Sequence, residues 1–202
     1  MRVLAAILVL FALSACGPRM VEADVTRFSA APAGPAPGTV SIMPSPEQRG
    51  SLEFEAYADM VAEELRLHGF RPIPADSVPP PDYMVRLNWG VGDPVTQVYS
   101  SPSTLYGGTS VFGSRTGYGL GVGIPLGGSQ RVDSYTTWSK WLTVAMRPAG
   151  AEQASNVFEG RAVTGAGGAS VQPVMPYLVE AVFTNFPGRS GATEEVRIPQ
   201  RR

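Results

Sequence analysis

The sequence predicts an α+β fold: a two-layer sandwich in which a mainly antiparallel sheet of about five strands carries two amphipathic helices on one face. Two kinds of periodicity predict it. Asp82–Gly92 and Ser134–Arg147 alternate apolar and polar residues, as half-buried strands do. Ser51–His68 and Val171–Phe186 repeat apolar residues at three and four, as helices with one buried stripe do.

Ala23–Ser29 alternates weakly and reads as a first strand, followed by the Pro/Gly/Ala loop Ala30–Gly38. Thr39–Met43 places Val40 and Ile42 on one face, and Pro44 and Pro46 end it. In the first helix Ser51 is the N-cap, with Glu53 and Glu55 in the first turn, where the helix dipole favours acids. Phe54, Tyr57, Ala58, Val61 and Leu65 form its stripe, and Gly69 supplies the left-handed residue past its end. Phe70–Ile73 fits a short strand. In Asp82–Gly92, Tyr83, Val85, Leu87, Trp89 and Val91 share one face, and Met84, Arg86 and Asn88 the other. Ser134–Arg147 puts Trp138, Leu142, Val144 and Met146 inward, leaving Tyr135, Thr137, Trp141 and Thr143 outward. Asn156–Thr164 turns Phe158 and Ala162 inward, Glu159 and Arg161 outward. The second helix repeats Val171, Val174, Met175, Leu178, Val182 and Phe186; its prolines, Pro173 and Pro176, sit in the first turn, where no donor is missed.

The N-terminus reads as a lipoprotein leader over residues 1–15. Arg2 is followed by the apolar run Val3–Leu13, then by Ser14-Ala15 and Cys16. Eleven apolar residues fall short of the roughly 20 that span a bilayer. Small residues directly before a Cys form a lipobox, in which Cys16 is diacylated, the chain is cut before it, and the new amine is acylated in turn. Two or more acyl chains, at about 0.8 kcal/mol per buried methylene, anchor a protein stably. Gly17 in place of Asp after the Cys points to the outer membrane. Residues 16–22 then form a tether, 23–188 one domain with a Gly-rich excursion at 93–130, and 189–202 a C-terminal tail.

The segments DVTRF, SLEFEAYADMVAEELRLHGF, PDYMVRLNWGV, NVFEGRAV and VMPYLVEAVFTNFPG stand in this order along the chain. In combination they resemble a bacterial lipoprotein family catalogued as domain of unknown function 4136. The resemblance implies a lipidated envelope protein with an α+β domain, and it carries no catalytic residue over to this chain.

Composition narrows the chemistry. Cys16 is the one cysteine, so the mature chain has no disulfide, no thiol nucleophile and no thiolate metal site. Loss of Arg2 takes the net charge from −1 to −2, and no basic patch stands out for nucleic acid. Gly119, Gly121 and Gly123 are followed by Pro125 and lack the Lys-Ser/Thr and helix that a phosphate loop needs. His68 is the one histidine and sits at a helix end, where a cation favours the dipole; with no second histidine, a usual zinc site has too few ligands. Glu53, Glu55, Asp59, Glu63 and Glu64 have the spacing of a solvated helix face.

No metal or cofactor is expected. The candidate partner-binding face is the side of the sheet away from the helices, with Arg86, Tyr135, Trp141 and Arg161. Two readings of it stand together: the aromatics engage a partner or glycan, or the Gly-rich excursion folds over them. The functional expectation is a non-enzymatic binding or assembly module of the cell envelope, held to the outer membrane through its lipid and facing the periplasm. Its partner is an envelope protein or glycan. The alternatives are a hydrolase of envelope polymers and a carrier of an apolar ligand. Cys16→Ser is expected to release the protein from the membrane fraction; continued pelleting with outer membranes in high salt rejects the lipobox.

Overall fold

The computed structural model describes residues 19–31, 33–101, 131–150 and 154–201, with backbone alone at 95–101 and 131–135. The leader, Cys16 and the Gly-rich stretch 102–130 lie outside the described residues. The chain divides into two units. One comprises Met1–Pro94 and Trp138–Arg202, and the other Val95–Thr137.

The elements run β1 (Met20–Ser29), β2 (Thr39–Ile42), α1 (Leu52–Leu67), β3 (Arg71–Pro72), β4 (Tyr83–Ser101), β5 (Arg131–Pro148), β6 (Phe158–Thr164), α2 (Met175–Phe183) and β7 (Ala192–Pro199). The strands form one seven-stranded sheet in the order β3-β2-β4-β5-β6-β1-β7. The class is α+β, as expected, but the sheet is larger and mixed. Five antiparallel strands are replaced by seven, with β2 parallel to both β3 and β4. The reason is the crossover: α1 separates β2 from the next strands, and a helical return brings the chain back in the same direction.

Two stretches expected to lie outside the domain are in its sheet. Met20–Glu22, within the expected tether, pair with Pro199, Ile198 and Arg197. Ala192–Pro199, within the expected tail, is the edge strand β7. Its inward residues are few, with Val196 and Ile198 buried, and Thr193, Glu195 and Arg197 exposed. That pattern suits an edge, where charge discourages pairing with other chains, and it is also why the stretch reads as solvated. The expected excursion likewise begins later than 93, because β4 continues to Ser101.

Helix α1 forms as its local signals dictate. The Ser51 hydroxyl accepts from Phe54 N at 3.2 Å, and Phe54, Tyr57, Val61, Ala62 and Leu65 are buried. Gly69 takes φ +83° beyond the end. Helix α2 is shorter than its apolar repeat. A 3-10 turn at Gln172–Val174 leads into it, and a turn replaces its last residues, with Phe186 packed on Phe158 at 4.7 Å between ring centres. One cluster joins both helices to the inward residues of the sheet, Val25, Val40, Val85, Leu142, Val144 and Ala162 among them. Gly160 in β6 lets α2 come close, since a Cβ there would lie 2.7 Å from Val182 Cγ1.

A charged side chain of β1 is built into this core. Arg27 follows Val21, Ala23 and Val25 on the inward face of β1 and is 1% exposed. Its Nε donates to Val182 O at 2.9 Å, and its second terminal nitrogen to Ala181 O at 2.8 Å and Thr184 O at 2.7 Å. The other terminal nitrogen meets Glu194 Oε2 at 3.1 Å. Ala181 O and Val182 O belong to the last turn of α2, where carbonyls lack intrahelical donors, and Thr184 O to the residue that caps it. Burial lowers the Arg27 pKa, and the Glu194 charge beside it works the other way. Arg27→Met is expected to cost about 3 kcal/mol or more in urea unfolding, because it strips several carbonyls of donors at once. Glu194→Gln, at a half-exposed partner, is expected to cost under about 1 kcal/mol. Equal losses would show that the ion pair, not the helix cap, is what matters.

Candidate functional site

Among the described residues no helix covers one face of the sheet, and three of the four expected binding residues stand on that helix-free face. Arg86 stands on β4, Trp141 on β5 and Arg161 on β6. Tyr135 belongs to β5, but its side chain lies outside the described residues. Trp141 pairs with Val163, and Arg161 with Thr143, so the two side chains are diagonal neighbours on adjacent strands. The Arg161 guanidinium lies over the indole, 4.9 Å from the ring centre. Beneath the other side of the same face is Gly90 of β4, where a Cβ would stand 2.9 Å from Trp141 Cζ2. The indole thus covers a bare stretch of backbone as well as facing outward, and it is half-buried for that reason.

Charge is unequal across this face. Among the described residues Arg86, Arg147 and Arg161 outnumber Glu159 on β4, β5 and β6, while Glu22, Asp24 and Glu195 outnumber Arg197 on β1 and β7. In the acidic half Arg197 meets Glu195 at 2.7 Å and Glu22 at 3.4 Å. At the basic end Arg49, Arg86 and Arg147 line a cleft of about 670 Å³. Nearby, Asp82 ties three strands together. It accepts from Thr39 N and Thr39 Oγ1, both at 2.7 Å, and its carbonyl accepts from Ala149 N at 2.8 Å. Those Thr39 bonds hold its carboxyl below the usual range.

The other residues weighed from sequence are engaged in structure. His68 closes α1 and packs its ring on Phe186 at 5.0 Å and Phe183 at 5.9 Å. Glu53 accepts from the Tyr57 hydroxyl at 2.8 Å, and Glu63 pairs with Arg66 at 2.8 Å. Burial, then the charge of Glu180, raises the Glu64 pKa. Among the described residues no three His, Cys, Asp or Glu gather where they would hold a metal ion. No helix among them is long and apolar enough to cross a membrane. Gly119, Gly121 and Gly123 lie outside the described residues.

A family model for a domain of unknown function, DUF4136, matches residues 24–188. The chain belongs to this family. No curated protein matches it. Among solved structures, a PDZ domain protein from Parabacteroides distasonis is similar over 97% of this chain and 42% of its own, at 9% identity and a TM-score of 0.50. This DUF4136 chain therefore spans less than half of that protein, and the likeness is one of fold alone. A PelC dodecamer from Paraburkholderia phytofirmans matches over 83% of this chain and 99% of its own, at 14% identity and a TM-score of 0.41.

Sequence reasoning missed Lys140. It shares the inward face of β5 with Leu142 and is fully buried. Its ammonium donates to Gly168 O at 2.8 Å and Gly167 O at 3.3 Å. Its position between Trp138 and Leu142 in the alternation was the signal available. Burial lowers its pKa, so the folded state sheds that proton more readily than the unfolded chain. Stability from this site is therefore present above the ordinary lysine range and lost as pH falls through the lowered folded value. Lys140→Met is expected to unfold at equal or higher urea concentration at neutral pH, and to flatten the rise in stability on the alkaline side. A midpoint well below wild type would mean that the two carbonyl bonds outweigh desolvation.

Proposed function

We propose that this DUF4136 chain is a lipid-anchored module of the bacterial envelope that works by binding rather than by catalysis. Cys16 is the lipid attachment point, the outer membrane the anchoring surface and the periplasm the compartment in which the domain stands. A protein or glycan of the envelope is the partner. The observation that carries the reading is the helix-free sheet face, where the Trp141–Arg161 stack stands between a side richer in arginine and a side richer in carboxylates. Such a face offers a large aromatic surface at low entropic cost and a charge pattern that selects an orientation. The packing of half-buried His68 against Phe183 and Phe186 supports binding over hydrolysis, because it engages the one imidazole with aromatic rings rather than with a nucleophile.

The test is crosslinking and recovery from intact envelopes. Trp141→Ala is expected to lose partner recovery by roughly tenfold or more, in line with an aromatic anchor of about 2 kcal/mol, while the domain stays folded. The same partners at the same yield would refute the face. His68→Ala is expected to remove no hydrolytic activity; loss of an activity without unfolding would establish an enzyme instead.

A further inference from the structure

The sheet ends on β7, and that edge has a register built into it. Two bonds fix which way its backbone groups point. Ala30 N donates to Val157 O at 3.0 Å, in line with the β1–β6 ladder, and Gln200 N donates to Arg19 O at 2.7 Å, in line with the β1–β7 ladder. Successive residues of an antiparallel strand turn their backbone groups to alternate sides. The even residues of β1 therefore bond β6, and its odd residues bond β7. On β7 the even residues Glu194, Val196 and Ile198 are the ones that bond β1. Thr193, Glu195, Arg197 and Pro199 turn their backbone groups to the open side, where no strand follows among the described residues. The opposite edge, β3, is a short stretch, Arg71–Pro72.

The side chains of β7 are complementary to those of a second β7. Thr193, Glu195 and Arg197 are exposed on one face, and Val196 and Ile198 are buried on the other. An antiparallel pairing of β7 with itself must match residues of like facing, since a slip of one residue flips every side chain. Centred on Val196, the pairing sets Glu195 opposite Arg197 of the second copy, and Arg197 opposite Glu195 of the second copy. Both have their backbone groups on the open side, so each such pair exchanges both N–H···O bonds. Thr193 N then meets Pro199 O of the second copy. Pro199 has no N–H, and it falls at the end of the ladder, where that loss matters least. The two Val196 side chains meet across the axis on the buried face. Centring on Glu195 or on Arg197 instead sets like charges directly opposite, which destabilises a pair. Centres further along shorten the ladder. Charges of both signs thus turn away most strands and single out one register.

We propose that a second copy of this chain adds to the sheet here, β7 against β7 about a two-fold axis at Val196, so that one sheet runs through both copies. Such an interface is isologous and closes on itself. The charges are free to serve it. Within its own chain Arg197 meets Glu195 at 2.7 Å and Glu22 at 3.4 Å, but all three side chains are more than half exposed, where ion pairs contribute little. β6 and β1 stand between this edge and Trp141 on β5, so the pairing is independent of the partner face.

The experiment is sedimentation velocity on the full chain in a nonionic detergent at micromolar protein, with circular dichroism to confirm folding. A dimer is expected. Arg197→Glu and Glu195→Arg, each at an exposed position, are each expected to weaken it by about tenfold or more, because the two-fold turns both opposite-charge pairs into like-charge pairs. A mixture of the two variants is expected to dimerise again, since every pair across the axis then regains opposite signs. No change of fold or of contacts within one chain reproduces that rescue. Trp141→Ala is expected to leave the dimer intact, so failure here and failure of the partner face are told apart. A monomeric wild-type chain overturns the proposal. So does a dimer unchanged in the single variants, or a mixture that stays monomeric.

Discussion

Arg27 is the constraint on which the rest of the domain depends. A helix that ends inside a protein leaves its last carbonyls without donors, and α2 ends against the sheet rather than in water. The Arg27 guanidinium answers this from β1, with donors aimed at Ala181 O, Val182 O and Thr184 O. It also brings positive charge to the negative end of the helix dipole. The cost is a buried charge, and Glu194 offsets part of it from β7. One side chain thus couples a strand near the N-terminus, the second helix and the last strand. Gly188 belongs to the same arrangement: a Cβ there would stand 2.7 Å from Arg27 Cδ, and its φ of +75° suits glycine.

Close approach of α2 follows from small residues under it. Gly160 and Ala162 on β6, Ala23 on β1 and Ala181 on the helix all sit inside the core. Where the helix stops, aromatic rings take over, with Phe158, Phe183, Phe186, Phe70 and His68 in successive contact. Such edge and tilted contacts add to plain area burial. The early end of α2 is therefore a gain in packing: the turn carries Phe186 into this cluster instead of leaving it on a helical extension.

The helix-free face works under different rules. Its side chains hold one another in place, with Trp141 seated between Gly90 and Arg161. A residue seated this way loses little freedom on binding, which is the physical advantage of a preformed surface. Its two ends differ in charge handling. Carboxylates and Arg197 neutralise each other in the acidic half, while Arg49, Arg86 and Arg147 line a cleft at the other end.

How much of this was legible in the sequence depends on the range of the interactions. Helix α1 was readable in full because Ser51, its stripe and Gly69 act within a few residues of one another. The facing of Arg86, Trp141 and Arg161 followed from alternation, which is also local. Arg27 and Lys140 stand at inward positions of their strands that the sequence reading passed over, and their partners lie 155 and 28 residues away, at Val182 and Gly168; no local pattern names a distant carbonyl. The direction of β2 was undecided because a short strand reads alike in parallel and antiparallel pairing; the crossover through α1 settled it. β7 has too few apolar residues to announce itself, and only its ladder with β1 makes it a strand. The sequence by itself determined the class, both helices and which face each main strand residue takes, because these are set by periodicity along the chain. Strand order, the cap on α2 and the gathering of Arg49, Arg86 and Arg147 were decided by the tertiary structure, because each joins residues that only the folded sheet brings together.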